Sequence, residues 1–359
     1  MIKIFTSVEE LYPFRVQWNE LAEKCGNPLL AYDWINEAAK AFYEVGSHYV
    51  VAKFCPDGKL VALLPLASRR EKKRHGWLEI IGSSVLAEPA GVLYCALEDL
   101  IDVIDEVRFR LKVPVVLQRV PREIIEAASL SGFSIKGSIT ISRSSADSKY
   151  VETDVGLEKI ESLMSGKRRY DLRRAAKRAK TRGEVSCHVV VPDEEELDSY
   201  LREAIRIEAA CWKGHQNSSL QDNVKMHGFF CDYLKVAAKK RKVVIGFLKI
   251  NDRNIAMQIA LREFSALWAL KIGYDEEYKK CSPGLLLTHE MIGYSTRNKI
   301  KRYEFLGSPE PWLNMWPVAS HHYNTVVNYP LSINGLSAFS SDLIRIVYSR
   351  FLSTVARTK

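Results

Sequence analysis

The chain has 359 residues, of which 47% are hydrophobic and 26% charged, and its formal net charge is +9. This length exceeds what one hydrophobic core usually serves, so we expect two domains. No apolar run approaches the roughly 20 residues that span a bilayer, and no secretory signal is recognisable, which predicts a cytoplasmic protein. Seven scattered cysteines without a CxxC pair predict reduced thiols and no metal site.

The first half, residues 1–150, alternates helices with strands. Ser7 and Glu10 form a capping pattern that begins a helix, and Pro56-Asp57-Gly58 predicts the turn of a hairpin. The predicted elements are helices 7–22 and from 33, strands 48–55, 59–68 and 77–81, helix 97–111, strand 113–117 and helix 122–130. This mixed order predicts a central sheet flanked by helices, in the α/β class.

Residues 167–182 form a strongly basic segment, with nine Lys and Arg against one Asp. Small apolar residues recur there at helical spacing and predict a stripe that rests on the protein: Leu172, Ala175, Ala176 and Ala179. The cations would then face an anion, which could be nucleic acid, phospholipid or a phosphorylated molecule such as coenzyme A. The alternative is a solvated helix without a ligand, which the density of like charges disfavours.

The second half, residues 151–330, repeats the pattern of the first, and a helical tail, 331–359, follows. Its predicted elements are helix 157–164, the basic helix 167–182, strand 184–191, helices 193–210 and 224–239, strands 243–250, 255–262 and 266–272, helix 283–298 and strand 302–306. The tail is basic and amphipathic, so it packs on the protein or touches the inner membrane face as a peripheral contact. Packing is the preferred interpretation.

The start of helix 283–298 predicts a phosphate site. Ser282 suits the N-cap, Pro283 suits the first helical position, and Gly284 lets a ligand approach the backbone. The first turn, through Leu285, presents N–H donors at the positive end of the helix dipole. Lys279 and Lys280 stand close by in sequence and are predicted to bind the same ligand.

Three stretches carry a family resemblance: the basic helix, the segment Glu208-Ala-Ala-Cys-Trp-Lys-Gly, and Gly273-Tyr-Asp-x-x-Tyr-x-x-x-Ser-Pro-Gly continuing to Glu304-Phe-Leu-Gly. Asn27 to Trp34 and Leu64-Pro-Leu66 add N-terminal landmarks. The chain resembles the GNAT-related acyltransferases of bacterial exopolysaccharide and cellulose synthesis, which are similar to Fem peptidoglycan transferases. The resemblance implies tandem GNAT-like lobes, the N-terminal one degenerate, with the active site between them.

The resemblance also implies a donor, an acceptor and their contacts. The donor would be acetyl-CoA or a longer acyl-CoA, and the acceptor an amine of a cell-envelope precursor, such as an amino sugar or an amine lipid. Acyl transfer to an amine needs a proton acceptor, for which the candidates are Asp275, Glu304 and Glu208. The candidate substrate-binding residues are Lys167, Arg168, Arg169, Arg173, Trp212, Lys213, Tyr274 and Tyr278. His321 and His322 match no metal-ligand spacing and receive no role.

Two other functions remain open. Aminoacyl-tRNA could be the donor, as in the Fem transferases, with the basic helix holding the tRNA backbone. The chain could instead be a non-catalytic protein that binds nucleic acid or a membrane surface. Tyr170 is the one aromatic residue of the basic helix, which disfavours single-strand binding.

Overall fold

The computed structural model describes residues 1–68, 76–130, 137–211 and 222–357, and these fall into two compact units. The first unit takes residues from 1–146 and from 322 onward, and the second takes residues from 147–321. Each unit is built on its own sheet with helices packed against it. The chain therefore has two α/β lobes, as the sequence predicts.

The first unit contains one mixed sheet. Its strands are β1 (Ile2–Phe5), β2 (His48–Phe54), β3 (Leu60–Ser68), β4 (Leu78–Ile80), β5 (Leu93–Tyr94), β6 (Val115–Pro121), β7 (Ser138–Ser144) and β15 (Tyr323–Pro330). They lie in the order β1-β2-β3-β4-β6-β15-β7, with β5 beside β3. β3 is buried along nearly its whole length, which accounts for its almost continuous apolar sequence.

The helices of the first unit are α1 (Arg15–Lys24), α2 (Tyr32–Phe42), α3 (Ser83–Leu86), α4 (Leu97–Leu111), α5 (Arg122–Leu130) and α11 (Ile333–Arg357). The capping pattern at Ser7 and Glu10 is present, because a Glu10 carboxylate oxygen accepts the Ser7 backbone N–H at 3.0 Å. The pattern begins a 3-10 helix, Glu9–Phe14, and the α-helix α1 follows at Arg15.

The predicted domain boundaries need correction at the C-terminal end. Residues 323–330, assigned by sequence to the second lobe, form β15 and pair with both β6 and β7 of the first unit. The tail is also part of that unit, since Ala338 of α11 belongs to a buried cluster with Trp77, Val116 and Tyr329. Neither partner of β15 is close in sequence, so no local pattern could have placed it.

The predicted packing of the tail is confirmed at the start of α11. The Tyr329 hydroxyl donates to Asp342 at 2.9 Å, which ties the helix to β15. Leu343 and Ile344 are exposed on the same helix. Across the residues that the structure describes, none of the helices is long and apolar enough to cross a membrane.

The second unit contains another mixed sheet. Its strands are β8 (Ser148–Glu152), β9 (Val185–Val190), β10 (Val243–Ile250), β11 (Arg253–Glu263), β12 (Ala266–Tyr274), β13 (Arg302–Leu306) and β14 (Ala319–His321). They lie in the order β14-β8-β13-β12-β11-β10-β9. The β12–β13 pair is parallel, and its neighbours on both sides are antiparallel.

The helices of the second unit are α6 (Leu157–Leu163), α7 (Gly166–Lys180), α8 (Glu194–Ala209), α9 (Val224–Lys239) and α10 (Pro283–Arg297). α7 is the predicted basic helix. α8 begins with the reciprocal capping box that Asp193 and Glu196 predict. A 3-10 helix, Glu276–Cys281, joins β12 to α10.

Candidate functional site

An interruption in strand pairing lies in the sheet of the second unit. β12 and β13 pair from Ala266–Arg302 to Trp268–Glu304. β12 then continues to Tyr274, and no further pairing of these two strands occurs among the described residues. Beyond Trp268, this edge of β12 has no strand partner within the described part of the chain, and such an edge can pair with an extended ligand that carries amides.

The two faces of this sheet carry different helices. A Cβ atom on Gly246 would lie 2.5 Å from the Met291 sulfur, so this position faces α10. The next residue, Phe247, packs against Tyr200 of α8 with ring centroids 6.3 Å apart. Successive side chains of a strand point to opposite faces. α10 and α8 therefore cover opposite faces of the sheet.

α10 begins at Ser282-Pro283-Gly284 as predicted, but Ser282 does not cap it with its side chain. Ser282 has a left-handed backbone with φ 49°, and its carbonyl accepts the N–H of Leu285 at 3.0 Å and of Leu286 at 3.3 Å. Pro283 has no N–H, so Gly284 supplies the donor that the first turn keeps for a ligand. The predicted phosphate site thus has fewer main-chain donors than the sequence indicates.

The basic helix α7 packs beside this helix start. Of the predicted small-residue stripe, Ala175 and Ala179 are buried, and Leu172 and Ala176 are half-buried. Arg178 donates from Nη1 to the Lys280 carbonyl at 3.4 Å, and the Cys281 thiol donates to the Arg178 carbonyl at 3.7 Å. α7 therefore brings its cations next to the segment that leads into α10.

The predicted ligand-binding cations differ in their surroundings. Lys167, Arg173, Lys279 and Lys280 are exposed, and Arg168 is half-buried. Lys279 lies 3.5 Å from Glu276, its neighbour in the 3-10 helix. An exposed pair of this kind is weak, so Lys279 can exchange its partner for a stronger anion.

Arg169 makes a structural contact that the sequence does not predict. Its Nη1 donates to the carbonyls of Glu161, Ser162 and Met164 at 3.2, 3.1 and 2.7 Å. These carbonyls lie at the end of α6, where a helix leaves carbonyls without intrahelical N–H partners, and the Glu161 carbonyl also accepts the Met164 N–H at 3.1 Å. Arg169 therefore closes α6 through Nη1, and its contact with a phosphate stays a prediction.

Asp275 is also engaged in local structure. One carboxylate oxygen accepts the Glu277 N–H at 3.0 Å and caps the 3-10 helix, and the other pairs with Arg253 at 2.7 Å. Asp275 follows the end of β12, whereas Glu304 pairs opposite Trp268. Seven residues of strand separate these levels by roughly 20 Å. The strands that carry Asp275 and Glu304 are neighbours, but the two carboxylates lie at different levels along them.

Glu208, near the end of α8, packs beside the C-terminal end of β12. A Cβ atom on Gly273 would be 3.0 Å from the Glu208 Cα, so strand and helix touch there. The Glu208 side chain is buried. The neighbouring candidates Trp212 and Lys213 lie outside the described residues.

Tyr274 and Tyr278 flank the start of α10. The Tyr274 ring lies 3.5 Å from the position of a Cβ on Gly284, and its hydroxyl donates to Glu276 at 3.5 Å. Burial raises the pKa of Tyr274 above its ordinary value, and the Glu276 carboxylate adds to this effect. Tyr278 packs under the Arg253 guanidinium, 5.5 Å from the ring centroid. Tyr274 is thus the tyrosine that adjoins the predicted phosphate site.

Glu304 belongs to a polar cluster on the α8 face. Its neighbours Tyr303 and Phe305 pack in the core beside α10, so Glu304 points the other way. Its carboxylate oxygens lie 3.2 and 3.1 Å from His321 Nε2, and Arg302 approaches one of them at 3.5 Å. The Tyr150 ring stacks on His321 with centroids 4.4 Å apart.

Sequence reasoning missed His321. Its adjacency to His322 and the lack of metal-ligand spacing indicate no role, whereas its partner Glu304 comes from another strand. β8 pairs with β13 on one side and with β14 on the other, which carries His321 to Glu304. No group of three or more His, Cys, Asp or Glu suited to a metal ion occurs within the described ranges.

The second unit matches a known family over most of its length. A family model described as an acetyltransferase (GNAT) domain matches residues 166–313. This span begins at the first residue of α7 and contains the interrupted β12–β13 pair and the start of α10. A comparison with curated protein sequences gives no match.

Solved structures share the fold of the whole chain. FemX has a TM-score of 0.57 at 12% identity, with 92% of this chain and 97% of FemX covered. The C-terminal domain of a lysylphosphatidylglycerol synthetase from Agrobacterium fabrum has a TM-score of 0.52 at 9% identity, with coverages of 86% and 91%. L-PGS from Bacillus licheniformis has 0.50 at 14%, with coverages of 86% and 92%.

Sequence identities this low establish a shared fold and do not identify the substrate. Both lobes are included, because each of these structures covers more than four fifths of the chain. The chain thus has the fold of tandem GNAT-like lobes, and its residues 166–313 match the model of an acetyltransferase (GNAT) domain.

Proposed function

We propose that the second unit transfers an acyl group from acetyl-CoA or a longer acyl-CoA to the amine of a cell-envelope precursor. The observation that carries the proposal is the interrupted β12–β13 pair beside the first turn of α10. A gap in the sheet gives a donor on the α10 face access to an acceptor on the α8 face. Transfer then needs no movement of the strands.

The donor side suits coenzyme A. Its diphosphate would lie at the N-terminus of α10, where the Gly284 N–H and the helix dipole favour an anion. The exposed ammonium groups of Lys279 and Lys280 stand beside this turn. Its amide-bearing arm would follow the free edge of β12 as an added strand does. The thioester would thereby reach the gap.

The acceptor side suits an ammonium group before it reacts. Glu208 and Glu304 are buried carboxylates on the α8 face, and both attract a cation that enters there. The resemblance to exopolysaccharide acyltransferases supports an amino sugar of a polysaccharide precursor as this amine. An amine lipid is the other acceptor of the same chemistry.

Aminoacyl-tRNA is the second candidate donor, and α7 favours it. The helix carries exposed cations along its length, including Lys167, Arg173, Lys177 and Lys180, more than one diphosphate requires. The lysylphosphatidylglycerol synthetase of similar fold is named for a lysyl lipid. Transfer of an aminoacyl group would use the same gap and the same acceptor face.

Isothermal titration with acetyl-CoA and with palmitoyl-CoA tests whether an acyl-CoA is the donor. We expect binding of at least one thioester, and a Kd raised about tenfold or more by Gly284→Ala, which places a methyl group in the proposed diphosphate position. Gly228→Ala is the matched control, because a Cβ at that helical glycine meets nothing within 4 Å. Absence of binding by both thioesters would refute the coenzyme A assignment.

A salt series tests the tRNA alternative. If alanyl-tRNA is the donor, its binding should fall by orders of magnitude between about 50 and 200 mM salt. Lys167→Gln/Arg168→Gln/Arg173→Gln should flatten that dependence, whereas Lys225→Gln/Lys299→Gln/Lys301→Gln, with equal charge loss outside α7, should not. Thioester binding with no tRNA binding at low salt would exclude this alternative.

A further inference from the structure

Glu304 and His321 form a pair away from the proposed donor site at the start of α10. It lies on the face opposite α10, at the level where the pairing of β12 and β13 ends. The Glu304 side chain is 1% exposed and the His321 side chain 30% exposed. The Glu304 carboxylate is thus buried, whereas the His321 imidazole is partly exposed on the α8 face, where the acceptor is proposed to bind.

Resting on the proposed function, we infer that His321 removes the proton from the acceptor amine and that Glu304 is its positioning residue. A carboxylate held against one ring nitrogen fixes the tautomer and orientation of the imidazole. With both Glu304 oxygens near Nε2, the Nε2–H donates to Glu304 and Nδ1 carries the lone pair. Nδ1 is then the atom that accepts the proton.

Two neighbouring groups hold this arrangement. Arg302 lies 3.5 Å from Glu304 and keeps the buried carboxylate paired with a cation. The Tyr150 ring stacks on the imidazole at an interplanar angle of 22°, which restricts rotation of the His321 side chain. Burial raises the pKa of Tyr150, so this ring remains a neutral phenol when the histidine changes charge.

Charged groups of β8 and β13 lie near the pair. Arg302 also lies over the Tyr150 ring, 5.8 Å from the centroid. On β8, Lys149 donates to the Ser320 hydroxyl, next to His321 in β14. Glu152 lies further along β8 and, with Glu304, adds to the raised pKa of Tyr150. His321 therefore lies near both carboxylates and cations.

The proton balance of the step is complete without another reactant. The entering ammonium first loses one proton to solvent and becomes a neutral amine. The amine nitrogen then attacks the acyl carbonyl and forms the C–N bond, and a second proton moves from that nitrogen to Nδ1 of His321. The tetrahedral intermediate then expels the thiolate of coenzyme A, or the ribose oxygen of tRNA, as the C–S or C–O bond breaks. The imidazolium returns its proton to that leaving group, or to solvent, and the neutral histidine is restored.

His321→Gln tests the inference, with the adjacent His322→Gln as the matched control. The assay uses acetyl-CoA or alanyl-tRNA as donor and D-glucosamine or dodecylamine as amine, and product is measured by mass spectrometry. We expect His321→Gln to lower kcat by about 100-fold or more, within the range of general base catalysis, while the Kd of the donor changes less than about threefold. His322→Gln should retain the wild-type rate.

Two measurements separate proton transfer from a structural role. Added imidazole should restore part of the rate of His321→Ala, and long-range proton–nitrogen NMR of the wild type should show the Nε2–H tautomer at His321. Glu304→Gln should lower kcat less than His321→Gln because the base remains. Transfer that survives His321→Gln, or an Nδ1–H tautomer, would overturn the inference alone. No transfer by the wild type from either donor would overturn the proposed function and the inference with it.

Discussion

Replacing Arg169 by glutamine removes the guanidinium that closes the C-terminal end of α6. Three carbonyls lose a charged donor, one of them at 2.7 Å and two at more than 3 Å. A hydrogen bond to a charged group contributes about 1.5–3 kcal/mol, and a cation at a helix C-terminus adds a few tenths. Counting the short bond in full and the two longer ones little, we expect a loss of about 2 kcal/mol.

This loss should appear as a lower melting temperature of the second unit. A domain of this size shifts by roughly 2–4 °C per kcal/mol, so Arg169→Gln should lower Tm by about 4–8 °C. Amide exchange should also speed up in α6. Arg168→Gln is the control, since it removes the same charge from the preceding residue of the same helix. Arg169→Lys should recover part of the loss, because a lysine keeps the charge but not the planar fork.

The reasoning fails if Arg169→Gln and Arg168→Gln melt within about 1 °C of each other. It also fails if Arg169→Gln weakens donor binding without any change in Tm or in amide exchange. That second result would return Arg169 to the ligand-binding role that the sequence predicts. Calorimetry resolves the two units if their transitions separate.

Three further predictions concern single side chains. Asp275→Asn should lower the free energy of unfolding by about 1–2 kcal/mol, because the ion pair with Arg253 is lost. Turnover per folded molecule should stay unchanged. A selective fall in kcat would instead support Asp275 as a catalytic base. Gly273→Ala should destabilise the second unit, because its Cβ would meet backbone of Glu208 at 3.0 Å, and a wild-type melting curve would contradict this. Hydrogen bonds from Arg206 lower the pKa of Glu203, so this contribution to stability is present above the ordinary value of 4.5 and is lost as pH falls below it. Melting curves of Glu203→Gln should therefore change less than those of the wild type between pH 5 and 3; parallel curves would remove this pair as a source of acid sensitivity.

The sequence predicted the elements that carry strong local signals. The stripe on α7 is read from helical spacing, and burial of Ala175 and Ala179 agrees with it. The capping box at Asp193 and the start of α10 at Pro283 follow from local backbone chemistry. Each of these needs only residues within one or two turns of each other.

The parts that the sequence missed depend on residues far apart in the chain. Arg169 caps a different helix from its own, so its charge pattern within α7 gave no sign of that role. His321 meets Glu304 only because β8 stands between β13 and β14. Strand register of this kind is set by tertiary pairing and by side-chain packing across the sheet, which single-sequence periodicity does not contain.

The return of the chain to the first sheet has a consequence for dissecting this protein. Ser148 pairs with His321, so the first and last strands of the second unit are hydrogen-bonded neighbours, and the unit is an insertion with adjoining ends. β15 lies between β6 and β7, so a stop codon after residue 321 removes an interior strand of the first sheet rather than an appendage. A fragment of residues 147–321 is therefore the natural cut for expressing the second unit alone, and deletion of the C-terminal 38 residues is a test of the other lobe.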